Sequence, residues 1–309
     1  MTSKSIGFIG LGRMGGGMAL TLTKRAGGLH VFDPVPDAMA PLIEAGAVPC
    51  ESPGAVAAHC DLIFLCLPFA PEVRAAIFGP GGIQEAIQGN GRAGPTIIDT
   101  TTLERNDALA IAAEAAQTGI AYWDCPVSGM PFRADEGTLT VMFGGTKEAF
   151  EEARPYLEAF GKDIIHGGPL GCGQAMKAIN NIIYDVNIVA LCEVLPLAVA
   201  AGLDPDEVAR LVTTGSSRSF ASEYFVPRMM ARRFDSDFAM GDAYKDIVNV
   251  QQMARETGAS LPLVDAMTES YRAALDAGLG DEPKSAILKI YEKALGVEFS
   301  APGKKPKQP

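Results

Sequence analysis

Short apolar runs separated by longer polar-and-apolar stretches set the pattern of the first half of the chain. Ile6–Ile9, Leu29–Phe32, Leu62–Leu67, Thr96–Ile98 and Ala121–Trp123 are each too short for a helix. Gly, Pro or Asp closes most of them, so they predict strands buried on both faces. Weaker strands are expected at Ala47–Pro49, Thr138–Phe143 and Asp163–Ile165. Between these lie segments with helical character: Pro36–Ala45, Pro53–Ala58, Pro71–Ile77, Glu104–Gln117 and Lys147–Phe160. Gly79–Gly82 reads as a loop. Strand and helix in strict alternation predict a mostly parallel, doubly wound α/β sheet with helices on both faces. In such a sheet ligands bind beyond the carboxyl ends of the strands. Functional weight therefore falls on Gly10–Gly15, Asp33, Leu67-Pro68, Thr100–Thr102 and Cys125–Met130.

From Gly171 the pattern turns wholly helical. A long helix is expected over Gln174–Ala200, then helices at Asp204–Val212, Ala221–Arg232, Met240–Thr257, Leu263–Ala277 and Lys284–Leu295. Asp204 followed by Pro205 is a helix-start signal. The glycine cluster Gly167–Gly173 marks a boundary. The expected organisation is a dinucleotide-binding domain at 1–168 and an all-α domain at 169–298, connected by the long helix. A disordered, Pro-rich tail follows at 299–309. The long helix is apolar nearly all round, which predicts burial.

The glycines give the first chemistry. Gly10-Leu11-Gly12-Arg13-Met14-Gly15 is G-x-G-x-x-G. It stands between the first strand and a helix, and Asp33 ends the second strand. That context is a dinucleotide-binding turn. Gly10 permits the tight turn, Gly12 the approach of backbone to pyrophosphate, and Gly15 close packing of helix on strand. The helix N-terminus offers its N–H groups to the phosphates, and Asp33 is placed to accept from the adenosine ribose.

Composition narrows the partners. The chain has 309 residues, 48% of them hydrophobic, and a net charge of 26 − 37 = −11. That balance argues against nucleic acid or an anionic membrane surface. No apolar run is expected to span a bilayer, and the N-terminus lacks the order of a secretion signal. The six cysteines form no C-x-x-C, and the three histidines are not spaced as ligands, so no metal is expected. A cytoplasmic location follows as the expectation.

The long helix carries polar residues that an all-apolar core would not hold: Lys177, Asn180, Asn181, Tyr184, Asp185 and Asn187. Lys177 and Asn181 stand four apart and share a face. A lysine near a helix N-terminus and partly buried has both effects lowering its pKa, which suits proton exchange. Spacing alone leaves two readings open, a catalytic lysine or a snorkelling surface one. Ser128 is not a hydrolase nucleophile, because its flanks do not make a G-x-S-x-G elbow.

These motifs together resemble the β-hydroxyacid dehydrogenases, which include 3-hydroxyisobutyrate dehydrogenase, tartronate semialdehyde reductase and glyoxylate/succinic semialdehyde reductase. Gly10-Leu-Gly-Arg-Met-Gly15 with Met18-Ala19, Asp124-Cys-Pro-Val-Ser-Gly-Met130, Gly173-Gln-Ala-Met-Lys-Ala-Ile-Asn-Asn181, and Phe238 with Lys245-Asp246 match the family's motifs in order. The resemblance implies a Rossmann domain followed by a helical domain. It implies Lys177 as general acid/base, with Asn181 holding the substrate or Lys177. It places Ser128 and Gly129 on the substrate carboxylate and Thr102 near nicotinamide and substrate. Leu67 and Pro68 would line the cofactor, Lys245 and Asp246 would close over the site, and Phe238 would flank it. The implied cofactor is a nicotinamide dinucleotide. NAD is preferred over NADP, since Asp33-Pro34 replaces the arginine that receives a 2′-phosphate. Small hydroxy acids or semialdehydes are the implied substrates, and a homodimer or homotetramer the expected assembly.

Met130 departs from the family's second glycine, and Arg133 follows it, either as a charge for an acidic substrate or as a loop arginine. The alternatives within the fold are an NADPH-type semialdehyde or glyoxylate reductase and an imine reductase, which usually lacks the lysine motif. Outside enzymes the alternative is a dinucleotide-binding redox sensor, which would have no use for Ser128, Lys177 and Asn181.

Overall fold

The computed structural model describes residues 4–90, 93–235 and 239–301, with the backbone alone at Ala26, Asn90, Asp242 and Lys245. Two compact units form, Met1–Lys177 and Ala178–Pro309. The division falls inside the long helix, beyond the boundary expected at 168/169. The first turn of that helix is bonded into the α/β unit, as described below.

In the first unit the chain runs β1 (Ile6–Ile9), α1 (Gly15–Ala26), β2 (His30–Phe32), α2 (Pro36–Glu44), β3 (Val48–Pro49), α3 (Pro53–Ala57) and β4 (Leu62–Leu65). It continues through α4 (Ala70–Phe78), α5 (Ile83–Asn90), β5 (Thr96–Asp99), α6 (Arg105–Gln117), β6 (Ala121–Asp124), β7 (Val127–Ser128) and α7 (Pro131–Asp135). Then come β8 (Leu139–Gly144), α8 (Lys147–Leu157), β9 (Gly161–Gly168) and α9 (Cys172–Ala200). The sheet order is β3-β2-β1-β4-β5-β6-β8-β7, with β9 paired to β8. Pairing is parallel from β3 to β6, antiparallel from β8 to β6 and β7, and parallel again from β8 to β9.

Strand direction of winding reverses between β1 and β4, which opens a crevice at the carboxyl end of β1. The turn Gly10–Gly15 lies there. Leu67-Pro68 follows β4 and Thr100–Thr102 follows β5, so one edge of the sheet collects the segments singled out by sequence. The strands are apolar on both faces. Phe8, Phe64 and Ile98 join one core, and Ile9, Ile63, Leu65 and Ile97 the other. Each fully buried side chain of this size contributes about 1.5–3 kcal/mol relative to exposure.

Four features differ from the sequence reading. The loop expected at Gly79–Gly82 leads into α5, a helix not expected from the sequence, where Ile83, Ala86 and Ile87 pack inward at helical spacing. The short β7 and α7 arise where Val127-Ser128 pairs with Val141 and Thr140. The last strand is longer than Asp163–Ile165. The helix expected from Lys284 starts as a 3-10 turn over Lys284–Ile287 before α14 (Leu288–Leu295).

The second unit holds the rest of α9, then α10 (Pro205–Thr214), α11 (Phe220–Met230), α12 (Met240–Thr257), α13 (Pro262–Asp276), the 3-10 turn and α14. Ile188, Cys192 and Leu195 of α9 pack with Phe225, Met229, Ile247, Met267, Tyr271 and Leu288. Phe299 is wholly buried in the same core, and its N–H donates to Glu292. The tail expected to be disordered from 299 therefore begins packed; residues 302–309 lie outside the described residues. Burial of α9 is also one-sided. Ile179, Ile183, Val194 and Leu197 are 52%, 58%, 49% and 56% exposed. At 29 residues and a mean hydropathy of 1.9 in its most apolar stretch, α9 is long and apolar enough to cross a membrane by length and composition. The expectation of no such run is corrected. Its inward face is core to the helical unit.

Candidate active site

The glycine turn fits a dinucleotide. Gly10 has φ +90°, and a Cβ there would lie 2.2 Å from the Cys66 carbonyl oxygen. A Cβ on Gly15 would lie 2.0 Å from the Gly10 oxygen, so α1 can approach β1 only through glycine. Gly12 differs: a Cβ there would meet nothing within 4 Å. Open space over Gly12, beside an α1 N-terminus with no side-chain cap, is the cradle a pyrophosphate needs. Leu11 is buried, Met14 half-buried and Arg13 exposed.

Asp33 does more than end β2. Its Oδ2 accepts from Leu11 N–H at 2.7 Å and its Oδ1 from Val35 N–H at 2.8 Å. The carboxylate pins the glycine turn to the end of β2. Each oxygen keeps a second acceptor lobe, so acceptance from ribose hydroxyls remains open to it.

The segment after β5 is held by buried groups. Asp99 is wholly buried; it accepts from Thr101 N–H at 2.9 Å and from the Tyr122 hydroxyl at 2.6 Å. Burial pushes its carboxyl up to about 6, against the opposing pull of the Thr101 and Tyr122 bonds. Thr101 Oγ1 accepts from Leu67 N–H at 3.0 Å, which joins the ends of β4 and β5. Thr102, half-buried, stands between buried Thr101 and Leu103.

α9 enters against this segment. Asp124, at the end of β6, accepts from Gly171 N–H and Gln174 N–H, each at 2.7 Å. Burial raises its carboxyl, and those backbone donors oppose the rise. A carboxylate at a helix N-terminus satisfies otherwise orphaned donors and complements the dipole. Gln174 is fully buried, with Nε2 donating to Thr101 O at 2.7 Å and Oε1 accepting from Leu103 N–H at 3.1 Å. Three residues on, Lys177 Nζ donates to Val127 O at 2.8 Å, next to Ser128. Gly129 has φ +144°, and a Cβ there would lie 2.6 Å from Leu139 Cδ2, so only glycine fits. The Arg133 stem runs beside Gly129, and its guanidinium donates to the Thr138 carbonyl. That bond ties Arg133, in α7, to the turn that follows the helix.

In the helical unit, Asn181 Nδ2 donates to Asp246 Oδ2 at 2.8 Å. One turn further along α9, the buried Asp185 pairs with Lys284 at 2.5 Å. Lys245 lies in α12, but its side chain is outside the described residues, as is all of Phe238. Sequence reasoning missed Asp99, Asp124 and Gln174 as site-building residues. The available signal was a polar residue in the first turn of an otherwise apolar helix, three positions before Lys177. Among the described residues, no three His, Cys, Asp or Glu side chains gather as a metal site.

A doubly wound sheet with a dinucleotide turn at its winding reversal, and a lysine amine held beside Ser128, defines a nicotinamide-dependent oxidoreductase. Residues 5–168 match the model for the NAD binding domain of 6-phosphogluconate dehydrogenase, and residues 171–291 that for the NAD-binding of NADP-dependent 3-hydroxyisobutyrate dehydrogenase. The chain is 37% identical to 2-(hydroxymethyl)glutarate dehydrogenase of Eubacterium barkeri, over 96% of this chain and 98% of that protein. It is 34% identical to 2-hydroxy-3-oxopropionate reductase of Escherichia coli, over 93% and 97%. A solved 3-hydroxyisobutyrate dehydrogenase from Salmonella typhimurium superposes with a TM-score of 0.82 at 28% identity, covering 93% of this chain and 99% of that one. The chain belongs to the β-hydroxyacid dehydrogenase superfamily, NAD(P)-dependent oxidoreductases acting on CH–OH groups.

Proposed function

We propose that this enzyme transfers hydride between NAD and a short β-hydroxy acid of the 3-hydroxyisobutyrate type, or its semialdehyde. The observation that carries the reading is the Lys177 amine, 2.8 Å from the Val127 carbonyl and so next to Ser128 in the chain. NAD supplies the hydride acceptor when bound. Lys177 takes the hydroxyl proton in oxidation and returns it in reduction. Ser128 and the Gly129 backbone bind the substrate carboxylate, and Thr102 flanks the reacting carbon. Asn181, one turn along α9, holds the substrate or Lys177. Its Nδ2 donates to Asp246 and its Oδ1 accepts from Asn180 Nδ2 at 3.1 Å, which supports a fixed orientation of the amide. Leu67 and Pro68 line the cofactor, and Lys245 with Phe238 complete the substrate side.

Asp33 supports NAD over NADP, since its carboxylate would repel a 2′-phosphate. Free cysteines among the described residues fit a reducing cytoplasm. The half-exposed aliphatics of α9 support a homo-oligomer.

The test is NADH formation over a panel of hydroxy acids, run in both directions with NAD and NADP. Lys177→Ala should lower kcat by about 10²-fold or more while NAD still binds. NAD binding with no turnover on any substrate would favour the redox-sensor reading instead.

A further inference from the structure

Gln174 has no assigned part in the chemistry, yet its side chain joins two segments that carry it. Its amide donates to Thr101 O and accepts from Leu103 N–H. Those atoms belong to the two peptide planes on either side of the Thr102 Cα. The angles φ and ψ of a residue are the relative rotations of its two flanking planes. One planar amide bonded to both planes therefore fixes the backbone of Thr102. The pattern is that of a neighbouring strand in a sheet, supplied here by a side chain.

Gln174 is itself held at its backbone, where its N–H donates to Asp124 Oδ2. There is no slack around it. A Cβ on Gly173 would lie 2.6 Å from Met142 O and 2.7 Å from Asp124 Oδ2. Thr101 is gripped at all three of its polar groups: N–H by Asp99, Oγ1 by Leu67 N–H and C=O by Gln174. Lys177 follows Gln174 by three positions, within one turn of the same helix. So a rigid path of one side chain and one helical turn connects Thr102 to Lys177.

We propose that Gln174 is a positioning residue for hydride transfer: it sets Thr102 and Lys177 at the mutual distance at which both reach the reacting oxygen. The proposal rests on the assignment of Lys177 and Thr102 given above. A misplacement of about 1 Å at a reacting centre lowers rates on the order of 10²-fold.

The experiment uses Gln174→Met, which keeps length and volume and loses both bonds, and Gln174→Glu, which keeps the shape. Steady-state kinetics and residue-resolved amide exchange are measured on each. Gln174→Met should lower kcat tenfold or more and leave KM for NAD within twofold, because the glycine turn is untouched. The Leu103 amide should exchange faster, while that of Cys125, bonded to Asp99 O, keeps its protection. Combined with Thr102→Ala, Gln174→Met should have little further effect on kcat, since its action runs through Thr102.

In Gln174→Glu a protonated carboxyl can donate to Thr101 O, and a carboxylate repels it. Its activity relative to the wild type should recover as pH falls and decline as pH rises. This variant reads out the clasp even where the methionine variant folds poorly. An active wild type whose Gln174→Met kcat is unchanged, or additive with Thr102→Ala, overturns the assignment alone. A wild type inactive on every hydroxy acid removes the functional reading, and this assignment with it.

Discussion

Two carboxylates show how much a residue's role depends on partners far away in sequence. Asp33 is legible as the acid ending the second strand, and the proposal that it sets cofactor choice follows from that. Its bonds to Leu11 and Val35 are not legible, and they decide which substitution can test that proposal. Asp33→Ala would free both N–H groups and loosen the glycine turn, weakening NAD and NADP alike. Asp33→Asn keeps an acceptor for one of them. Asp33→Asn with Pro34→Arg should therefore shift the kcat/KM ratio toward NADP by tenfold or more; an unchanged ratio would remove Asp33 as the determinant. Asp99 is invisible as more than a strand end, because burial decides its chemistry. Its carboxyl is raised to about 6 from 3.8, so the native state holds the proton more tightly than the unfolded chain. Its contribution to stability is then largest below about pH 4, falls as pH rises toward 6, and levels off above. The shift of about two units corresponds to roughly 3 kcal/mol. Asp99→Asn should flatten stability by about that much between pH 4 and 7 relative to the wild type, as measured by urea unfolding.

Elements were readable where periodicity and end signals agreed. Met240–Thr257 came out as read, because an apolar face ends at Gly258, which takes the left-handed cap at φ 70°. α10 begins where Asp204 was expected to start it, and Asp204 Oδ1 accepts from Asp206 and Glu207 N–H. α5 was hidden by glycines on both sides, which signal a loop when packing is unseen. Gln174 and Asp124 were hidden for another reason: their partners lie far along the chain, and only tertiary contact reveals them. The same holds for the bond between α9 and the 3-10 turn. Asp185 and Lys284 are both buried and paired. Burial pushes the Asp185 carboxyl up to about 6, with Lys284 pulling the other way. The Tyr271 hydroxyl also acts on Asp185, lowering its carboxyl together with Lys284, so three polar groups share this part of the core. Removing one member leaves a charge stranded in the core and costs about 3–5 kcal/mol, whereas replacing both by apolar groups is often neutral. Lys284→Met should therefore lower the urea midpoint sharply, and Lys284→Met with Asp185→Leu should recover most of the loss. If the double variant were as unstable as the single one, the pair would be contributing net stability.

At the scale of the whole molecule, the exposed face of α9 carries the clearest consequence. Ile179, Ile183, Ala190, Val194 and Leu197 are all exposed. Their spacings of four, seven, four and three keep them on one stripe, close to the seam of a coiled coil. The apolar character of α9 is legible, and it reads as more apolar surface than one small domain can cover, hence as a dimer or tetramer contact. The second unit covers only the other face. Half-exposed aliphatics along a helix of this length leave an apolar patch on the order of several hundred Å², which isolated monomers rarely present. A second copy of the same stripe is a matching surface, and twofold pairing buries every residue of it twice. One substitution then enters the interface in two places. Leu197→Glu or Ile183→Glu should bring like charges together in an apolar setting and convert the proposed oligomer to monomer at micromolar concentration. Leu263→Glu serves as the control: that side chain is 65% exposed at the start of a different helix, α13, and its change should leave assembly intact. Light scattering on the wild type should give at least twice the mass of the chain. A wild-type monomer, or equal loss of assembly in all three variants, would place the interface elsewhere or nowhere. Because the stripe begins two residues after Lys177, activity should also be followed across the same concentration range. A fall in kcat that tracks dissociation would show that the Lys177 end of α9 depends on its neighbour chain.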